Sequence, residues 1–194
     1  MKRIGSLSMV VVAIAAALIG GCKSSKPKLP TGETEVAVPC SGPGFYTDSK
    51  VFRANSIGES MDLVTAKKKA MVNARNDLAQ SIQTTVKTVT DNYTNSTSVD
   101  KREQLEQKFE SLNREVVEQT LQGIRTICEK PVQTKEGNYR FYVAIELSAD
   151  DLVKQYNSRI TADEKLRVDY DYEKFKDTFN KEMDKMSDQK KAGN

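Results

Sequence analysis

The sequence predicts an α+β fold in which one long helix packs across a small antiparallel sheet. Two patterns carry this prediction. Apolar or small residues recur every three or four positions over residues 61–90, which is the helical period. Apolar and polar residues alternate strictly over residues 139–147, as in a strand with one buried face. The predicted order of elements is strand, long helix, helix, hairpin, short helix and long helix, which is an α+β layout.

The first strand and the long helix follow each other directly. The stretch "KVFRANSI", residues 50–57, predicts a strand that ends at Gly58. Ser60 is placed to cap the helix, and Glu59 suits its N-terminal dipole. The helix stripe contains Leu63, Ala66, Ala70, Met71, Ala74, Leu78, Ile82, Val86 and Val89. This stripe predicts core packing against the sheet, and a partner-binding face is the alternative.

The remaining elements follow after a polar break at residues 91–99. We predict a second helix over 101–122, begun by a capping box at Asp100 and Glu103 and stopped by Gly123. Strands at 124–134 and 139–147 flank a hairpin turn at 135–138. Ser148, with Asp151 three residues later, caps a short helix through Asn157.

The C-terminal tail is highly charged but keeps an apolar stripe. Its members are Leu166, Tyr170 or Tyr172, Phe175, Phe179, Met183 and Met186. A helical extension with this stripe packs on the domain, pairs with another copy or lies against a partner, and the sequence leaves these three open. Residues 188–194 are predicted to be disordered.

The N-terminus predicts export and lipid attachment. Lys2 and Arg3 precede an apolar run over residues 9–19, too short for a comfortable membrane span. The run ends in Gly20-Gly21-Cys22, which resembles a bacterial lipobox. The resemblance implies cleavage before Cys22, diacylglycerol on its sulfur and an acyl chain such as palmitate on its amine. An uncleaved membrane anchor is the alternative.

Four segments follow from these boundaries: a signal peptide at 1–21, a flexible tether at 22–48, an α+β domain at 49–160 and a charged helix and tail at 161–194. The tether contains most of the prolines of the chain and has no helical period. Removing two basic residues with the signal peptide lowers the formal net charge from +3 to about +1. A nearly neutral protein has no electrostatic basis for binding nucleic acid.

With Cys22 assigned to lipid, two cysteines remain, Cys40 and Cys128, and an even number suits a disulfide. An extracytoplasmic compartment permits disulfides, so we predict a bridge between them. Two separate buried thiols are the alternative. The chain contains no histidine to activate a thiol, so a catalytic cysteine is disfavoured.

Several charged groups are candidates for chemistry, and each has a structural alternative. Adjacent Asp150 and Asp151 suit helix capping. Asp169 and Asp171 could bind a cation or form a solvated acidic stretch. The run Lys67-Lys68-Lys69 suits the solvent face of a helix, with headgroup or glycan contact as the alternative. No phosphate loop, serine elbow or zinc motif occurs. We therefore predict no catalytic, cofactor-binding or metal-binding residues.

The stretches "RANSIGES", "AKKKAMVNARNDLAQSI" and "YRFYVAIELS" resemble the small bacterial lipoproteins typified by the twenty-kilodalton outer-membrane lipoprotein. The matching residues are Arg53, Ala54, Gly58, Ala66, Ala70, Ala74, Arg75, Leu78 and Ala79. The tether and lipobox look like those of Bacteroidetes lipoproteins. The resemblance implies a curved sheet around the helix and an outer-membrane anchor. With Lys23 after the lipid cysteine, we expect the periplasmic face.

Two functions from different classes remain. The first is a non-enzymatic envelope lipoprotein that acts in envelope structure or assembly through protein partners or self-association. The second is a periplasmic or surface lipoprotein that binds a small ligand or glycan between helix and sheet. A pocket of convergent polar groups would favour the second function, and an exposed apolar patch on the tail helix would favour the first.

Overall fold

The computed structural model describes residues 32–34, 36–96, 102–167 and 170–192. The chain divides into two units, Met1–Ala37 and Val38–Asn194. The described residues of the first unit are exposed. The second unit contains three strands and five helices among its described residues. In chain order these are β1 (Val51–Ser60), α1 (Leu63–Asn95), α2 (Arg102–Thr120), β2 (Arg125–Gln133), β3 (Tyr139–Ser148), α3 (Ala149–Ala162), α4 (Glu164–Arg167) and α5 (Tyr172–Ala192). Single 3₁₀ turns lie at Pro43–Phe45 and Leu121–Gly123.

The sheet has the order β1-β3-β2 and is antiparallel throughout, so the predicted α+β class is confirmed. The alternating strand is β3, at the centre. Its apolar set faces α1 and is buried: Phe141, Val143, Ile145 and Leu147. Ala144, on the opposite face, is also fully buried. Its partner in the register is Cys128, and the N-terminal segment of the second unit, residues 38–48, is bonded to this part of the sheet through Cys40.

Core packing of the α1 stripe is confirmed. The stripe begins at Ala66 and continues through Val89, with Ala70 and Ala74 showing no exposed surface. Leu63 is not part of it, because 37% of its surface remains exposed. Small alanine side chains let the helix axis lie close to the sheet, which larger side chains would prevent.

Both ends of α1 differ from the prediction. The N-cap is Asp62 rather than Ser60, and its carboxylate accepts from the Thr65 NH at 2.7 Å. The helix also continues into the predicted break as far as Asn95. Tyr93 explains the extension, because its ring is buried against those of Phe109 and Phe175. Tertiary packing therefore overrides the low helix propensity of this polar stretch.

Gly58 does not end the first strand, which continues to Ser60. A Cβ atom at Gly58 would lie 2.5 Å from the Ala70 nitrogen and 2.9 Å from the Lys69 Cβ, and closer still to the Ala66 carbonyl oxygen. The missing side chain is what allows β1 and α1 to touch. Gly58 is therefore needed for the close packing of β1 on α1, and it does not end the strand.

The C-terminal elements pack on the domain itself. Phe175, Phe179 and Met183 of α5 are buried, and Phe179 meets Phe52 of β1 edge-on at 6.4 Å. Of the three arrangements left open for the tail, the structure shows packing in cis. The helix continues to Ala192, so the expected disorder from residue 188 is wrong over 188–192. Similarly, α3 runs five residues beyond Asn157, because Ile160 is buried in the core.

No helix within the described ranges is long and apolar enough to cross a membrane.

Candidate functional site

The predicted lipidation site, Cys22, lies outside the described residues, as do the signal peptide and residues 22–31 and 35 of the tether. The capping residue Asp100 and the acidic residue Asp169 lie outside them as well. Lipid attachment therefore stays a prediction that rests on the sequence.

Cys40 and Cys128 form a disulfide in the structure, with Cα atoms 5.5 Å apart. Cys128 follows the irregularity in β2 at which the pairing with β3 shifts register. Cys40 has a φ of 55°, and its sulfur lies 3.9 Å from the Tyr142 carbonyl oxygen on the outer face of the sheet. The bridge thus holds the start of the domain against the sheet face that α1 does not cover.

An ionic network holds the same N-terminal segment a few residues later. The Arg53 guanidinium donates to the Tyr46 carbonyl at 2.9 Å and to the Asp48 carboxylate at 2.8 Å. It also donates to Glu146 on β3 at 3.2 Å, and Arg125 on β2 donates to the same carboxylate at 2.9 Å. Arg53 therefore links the segment before β1 to the sheet.

The pKa of Asp48 follows from this network. Burial alone would raise it, but hydrogen bonds from the Lys50 NH and the Arg53 guanidinium lower the pKa of Asp48 below its ordinary 3.8. The side chain is 43% exposed, so solvent screens the pair with Arg53. This is a modest structural ion pair and not a perturbed catalytic carboxylate.

The lysine run on α1 contacts the sheet at two of its three positions. The Lys67 ammonium lies 3.0 Å from the Glu129 carboxylate and 5.3 Å from the centre of the Phe141 ring. The Lys69 ammonium donates to the Glu59 carbonyl at 3.1 Å. Lys68 is exposed. The run therefore contributes to helix–sheet packing as well as to the solvent face.

The acidic candidates lie at helix starts. Asp150 and Asp151 are in the first turn of α3, where the Ser148 hydroxyl accepts from the Asp151 NH at 3.3 Å. The Asp171 carboxylate accepts from the Lys174 NH at 3.1 Å at the start of α5. Among the residues that the structure describes, no group of acidic residues and cysteines could hold a metal ion.

A groove of about 560 Å³ lies between α1 and α2. It is lined by Gln83, Lys87, Thr90, Asp91, Thr94, Glu106, Gln107, Phe109, Glu110, Asn113 and Arg114. One hydrogen-bonded chain lies at its side: the Tyr156 hydroxyl donates to Asn113 at 2.5 Å, and the Asn113 amide donates to Thr90 at 3.3 Å. Burial raises the pKa of Tyr156, so the phenol stays a neutral donor.

Sequence reasoning missed this groove for a physical reason. Apart from the buried Phe109, the lining residues are polar positions spread along two separate helices. Only the side-by-side packing of α1 and α2 brings the two sets together, and no local pattern records that packing. The predicted pocket between helix and sheet is not where this groove lies, since its walls are both helical.

Comparison with known proteins identifies a family. The family model described as LPP20 lipoprotein matches residues 46–148, more than half of the 194-residue chain. The matched region begins just before β1 and ends with β3, so it contains the whole sheet, α1 and α2. A search of curated proteins found no match. The resemblance drawn from Arg53, Gly58 and the α1 alanines is thereby confirmed, and the chain belongs to the LPP20 lipoprotein family.

Proposed function

We propose that this chain is a non-enzymatic envelope lipoprotein that acts in envelope structure or assembly through protein partners or self-association. Its family membership supports an envelope lipoprotein. In this proposal acyl chains on Cys22 anchor it in the outer membrane, at the periplasmic face. The part of the predicted tether that precedes the bridge at Cys40 then carries the α+β domain clear of the headgroups.

One observation carries the non-enzymatic part of the proposal. Most of the residues that carry the family resemblance contribute to packing, Arg75 on the exposed side of α1 being the exception. Ala66, Ala70 and Ala74 are fully buried under the sheet, and Gly58 touches the α1 backbone. Arg53 is bound in the ionic network of the N-terminal segment. A family signature made of packing residues indicates selection for a scaffold, since catalytic signatures consist of reactive groups in a cleft.

Substitution of Cys22 tests the anchor. Cys22→Ser removes the only atom that can carry the thioether-linked lipid, so we expect the chain to leave the membrane fraction and lose labelled palmitate. Ser24→Ala is the matched control and should change neither. Continued membrane association of the Cys22→Ser chain, with acyl label retained, would contradict lipid attachment at this residue.

Crosslinking in intact cells, read by mass spectrometry, tests the protein contacts. We expect crosslinks from the domain to envelope proteins or to a second copy of the chain. Recovery of neither would contradict the assembly function. Protease treatment of unpermeabilised cells tests the face of the membrane, because a periplasmic domain should survive it intact.

The groove between α1 and α2 supports a second candidate function, binding of a small polar ligand or glycan. It offers amides and a hydroxyl together with both signs of charge, as such ligands require. Gln107→Trp would fill the groove, and Glu118→Trp, on the exposed surface of the same helix, is the control. If small molecules that copurify with the native chain in native mass spectrometry also copurify with Gln107→Trp, the groove is not their site.

A further inference from the structure

The turn between β1 and α1 exposes a group of large apolar side chains. Met61, Leu63 and Val64 have 84%, 37% and 59% of their surface exposed. We call these three residues the apolar tip. Soluble domains usually cover apolar side chains that follow one another so closely in a turn, so their exposure indicates a contact.

The apolar tip projects from one end of the sheet. The last pair of β1 joins Ser60 to Tyr139, and Met61 comes directly after it. The hairpin turn between β2 and β3, around Gly137, lies at the same end. The tip is therefore an end of the domain, whereas the groove between α1 and α2 lies along helix sides.

Basic residues surround the apolar tip. Lys67, Lys68 and Lys69 lie within the next two turns of α1, and Lys135 lies in the hairpin turn. Lys67 is paired with Glu129 and Lys69 is bonded to the Glu59 carbonyl, so Lys68 and Lys135 are the two placed to meet an anionic surface. Three acidic residues lie at this end as well, and two of them are bonded within the domain. The Thr65 NH and the Lys68 charge lower the pKa of Asp62, whose carboxylate is turned onto the helix start. Glu59 is paired with Arg140 at 2.7 Å, and Glu136 lies in the hairpin turn.

Apolar side chains flanked by lysines fit the surface of an anionic bilayer. The apolar part enters the boundary between headgroups and acyl chains, and the ammonium groups stay at the phosphates. A second copy of the chain fits less well. Three side chains cover far less than the roughly 800 Å² per partner of a stable protein interface.

The tether length is compatible with this contact. Seventeen residues lie between Cys22 and Cys40, so the two are at most about 60 Å apart when the chain is extended. Cys40 is bonded to Cys128, which pairs with Ala144, five residues along β3 from Tyr139. Cys128 therefore lies about 17 Å from the end of the sheet that carries the tip. The tip can therefore reach the bilayer in which Cys22 is anchored.

We propose that the apolar tip inserts into the interfacial layer of the anionic phospholipid bilayer and orients the domain on it. The proposal rests on the lipid anchor at Cys22 proposed above. Since acyl chains already hold the protein at the membrane, the tip determines which end of the domain faces the lipid.

A single tryptophan tests this, because the chain contains none. We would place it by Met61→Trp in the full lipidated chain and reconstitute the protein in vesicles of phosphatidylethanolamine and phosphatidylglycerol. Val72→Trp is the matched control, an exposed apolar position two turns further along α1. Thermal unfolding of both variants should match that of the native chain.

We expect the Met61→Trp emission to shift to shorter wavelength and to be quenched by phospholipids brominated on their acyl chains. The Val72→Trp emission should show neither effect. Equal emission and quenching for the two variants would overturn the inference. A second outcome would also overturn the inference: a wavelength shift that increases with protein density on the vesicles but is not accompanied by quenching from brominated lipid. That result would show that a second copy of the chain covers the tip. A mass that lacks acyl chains at Cys22 would instead show that the proposed anchor fails.

Discussion

At the scale of single residues, Gly58 and Arg53 hold the sheet to its neighbours on opposite faces. Gly58 lies on the inner face, where it lets β1 touch the α1 backbone. Arg53 lies on the outer face and joins Asp48 to Glu146. Both residues stand out in the sequence, but their partners are distant in the chain. Sequence reasoning could therefore single them out without assigning their roles.

Gly58→Ala should destabilise the domain strongly. The added methyl group would lie 2.5 Å from the Ala70 nitrogen and 2.9 Å from the Lys69 Cβ, so α1 must move away from β1. Overpacking of this kind costs about 1–3 kcal/mol in the free energy of unfolding. Gly44→Ala is the control, because nothing lies within 4 Å of the added Cβ. Equal urea midpoints for the two variants would contradict the close approach.

Asp48→Asn should lower stability in a pH-dependent way. At neutral pH we expect a loss of about 0.5–1 kcal/mol, since the pair with Arg53 is partly exposed. The folded-state pKa of Asp48 is lowered, so its contribution is present above its ordinary 3.8 and disappears as pH falls through the lowered value.

Urea unfolding at a series of pH values measures this effect. The difference between native chain and Asp48→Asn should shrink as the pH falls below about 3.8. Asp77→Asn changes the charge by the same amount on the exposed surface of α1 and serves as the control. A difference that stays constant down to acid pH would show that Asp48 does not act through its charge.

At the scale of elements, periodic patterns predicted which helices and strands exist, and tertiary contacts decided where they end. The alternation in β3 and the stripe in α1 are local properties, so the sequence revealed both. The end of α1 is different, because Asn95 is reached only through burial of Tyr93 against α2 and α5. The groove between α1 and α2 depends on packing of the same kind.

The packing of α5 in cis makes Phe179 a core residue. Phe179→Ala removes a ring that is 1% exposed and touches Phe52, and should cost about 3–5 kcal/mol in the free energy of unfolding. Asn180→Ala, next along the helix and exposed, should be close to neutral. If α5 does not pack on the domain in the isolated protein, both variants would unfold at the same denaturant concentration. That result would contradict the core position of Phe179.

At the scale of the whole molecule, one covalent link spans most of the domain. The disulfide joins Cys40, before β1, to Cys128 in β2, at a sequence separation of 88 residues. The closed loop contains β1, α1 and α2, while β3 and the later helices lie outside it. The sequence allowed the pairing by elimination, because the predicted lipid attachment at Cys22 leaves two cysteines. It could not show that the bridge crosses the outer face of the sheet.

Removal of the bridge should therefore destabilise the whole domain. In the unfolded chain a loop of this size restricts conformational freedom, and its loss costs up to about 4 kcal/mol in the free energy of unfolding. We expect the double substitution Cys40→Ser/Cys128→Ser to lower the urea midpoint by as much as a reductant lowers that of the native chain. Reductant should then have no effect on the double variant, which is the internal control. An unchanged midpoint for the reduced native chain would mean that noncovalent contacts, such as the ionic network of Arg53, are enough to hold the segment before β1 in place.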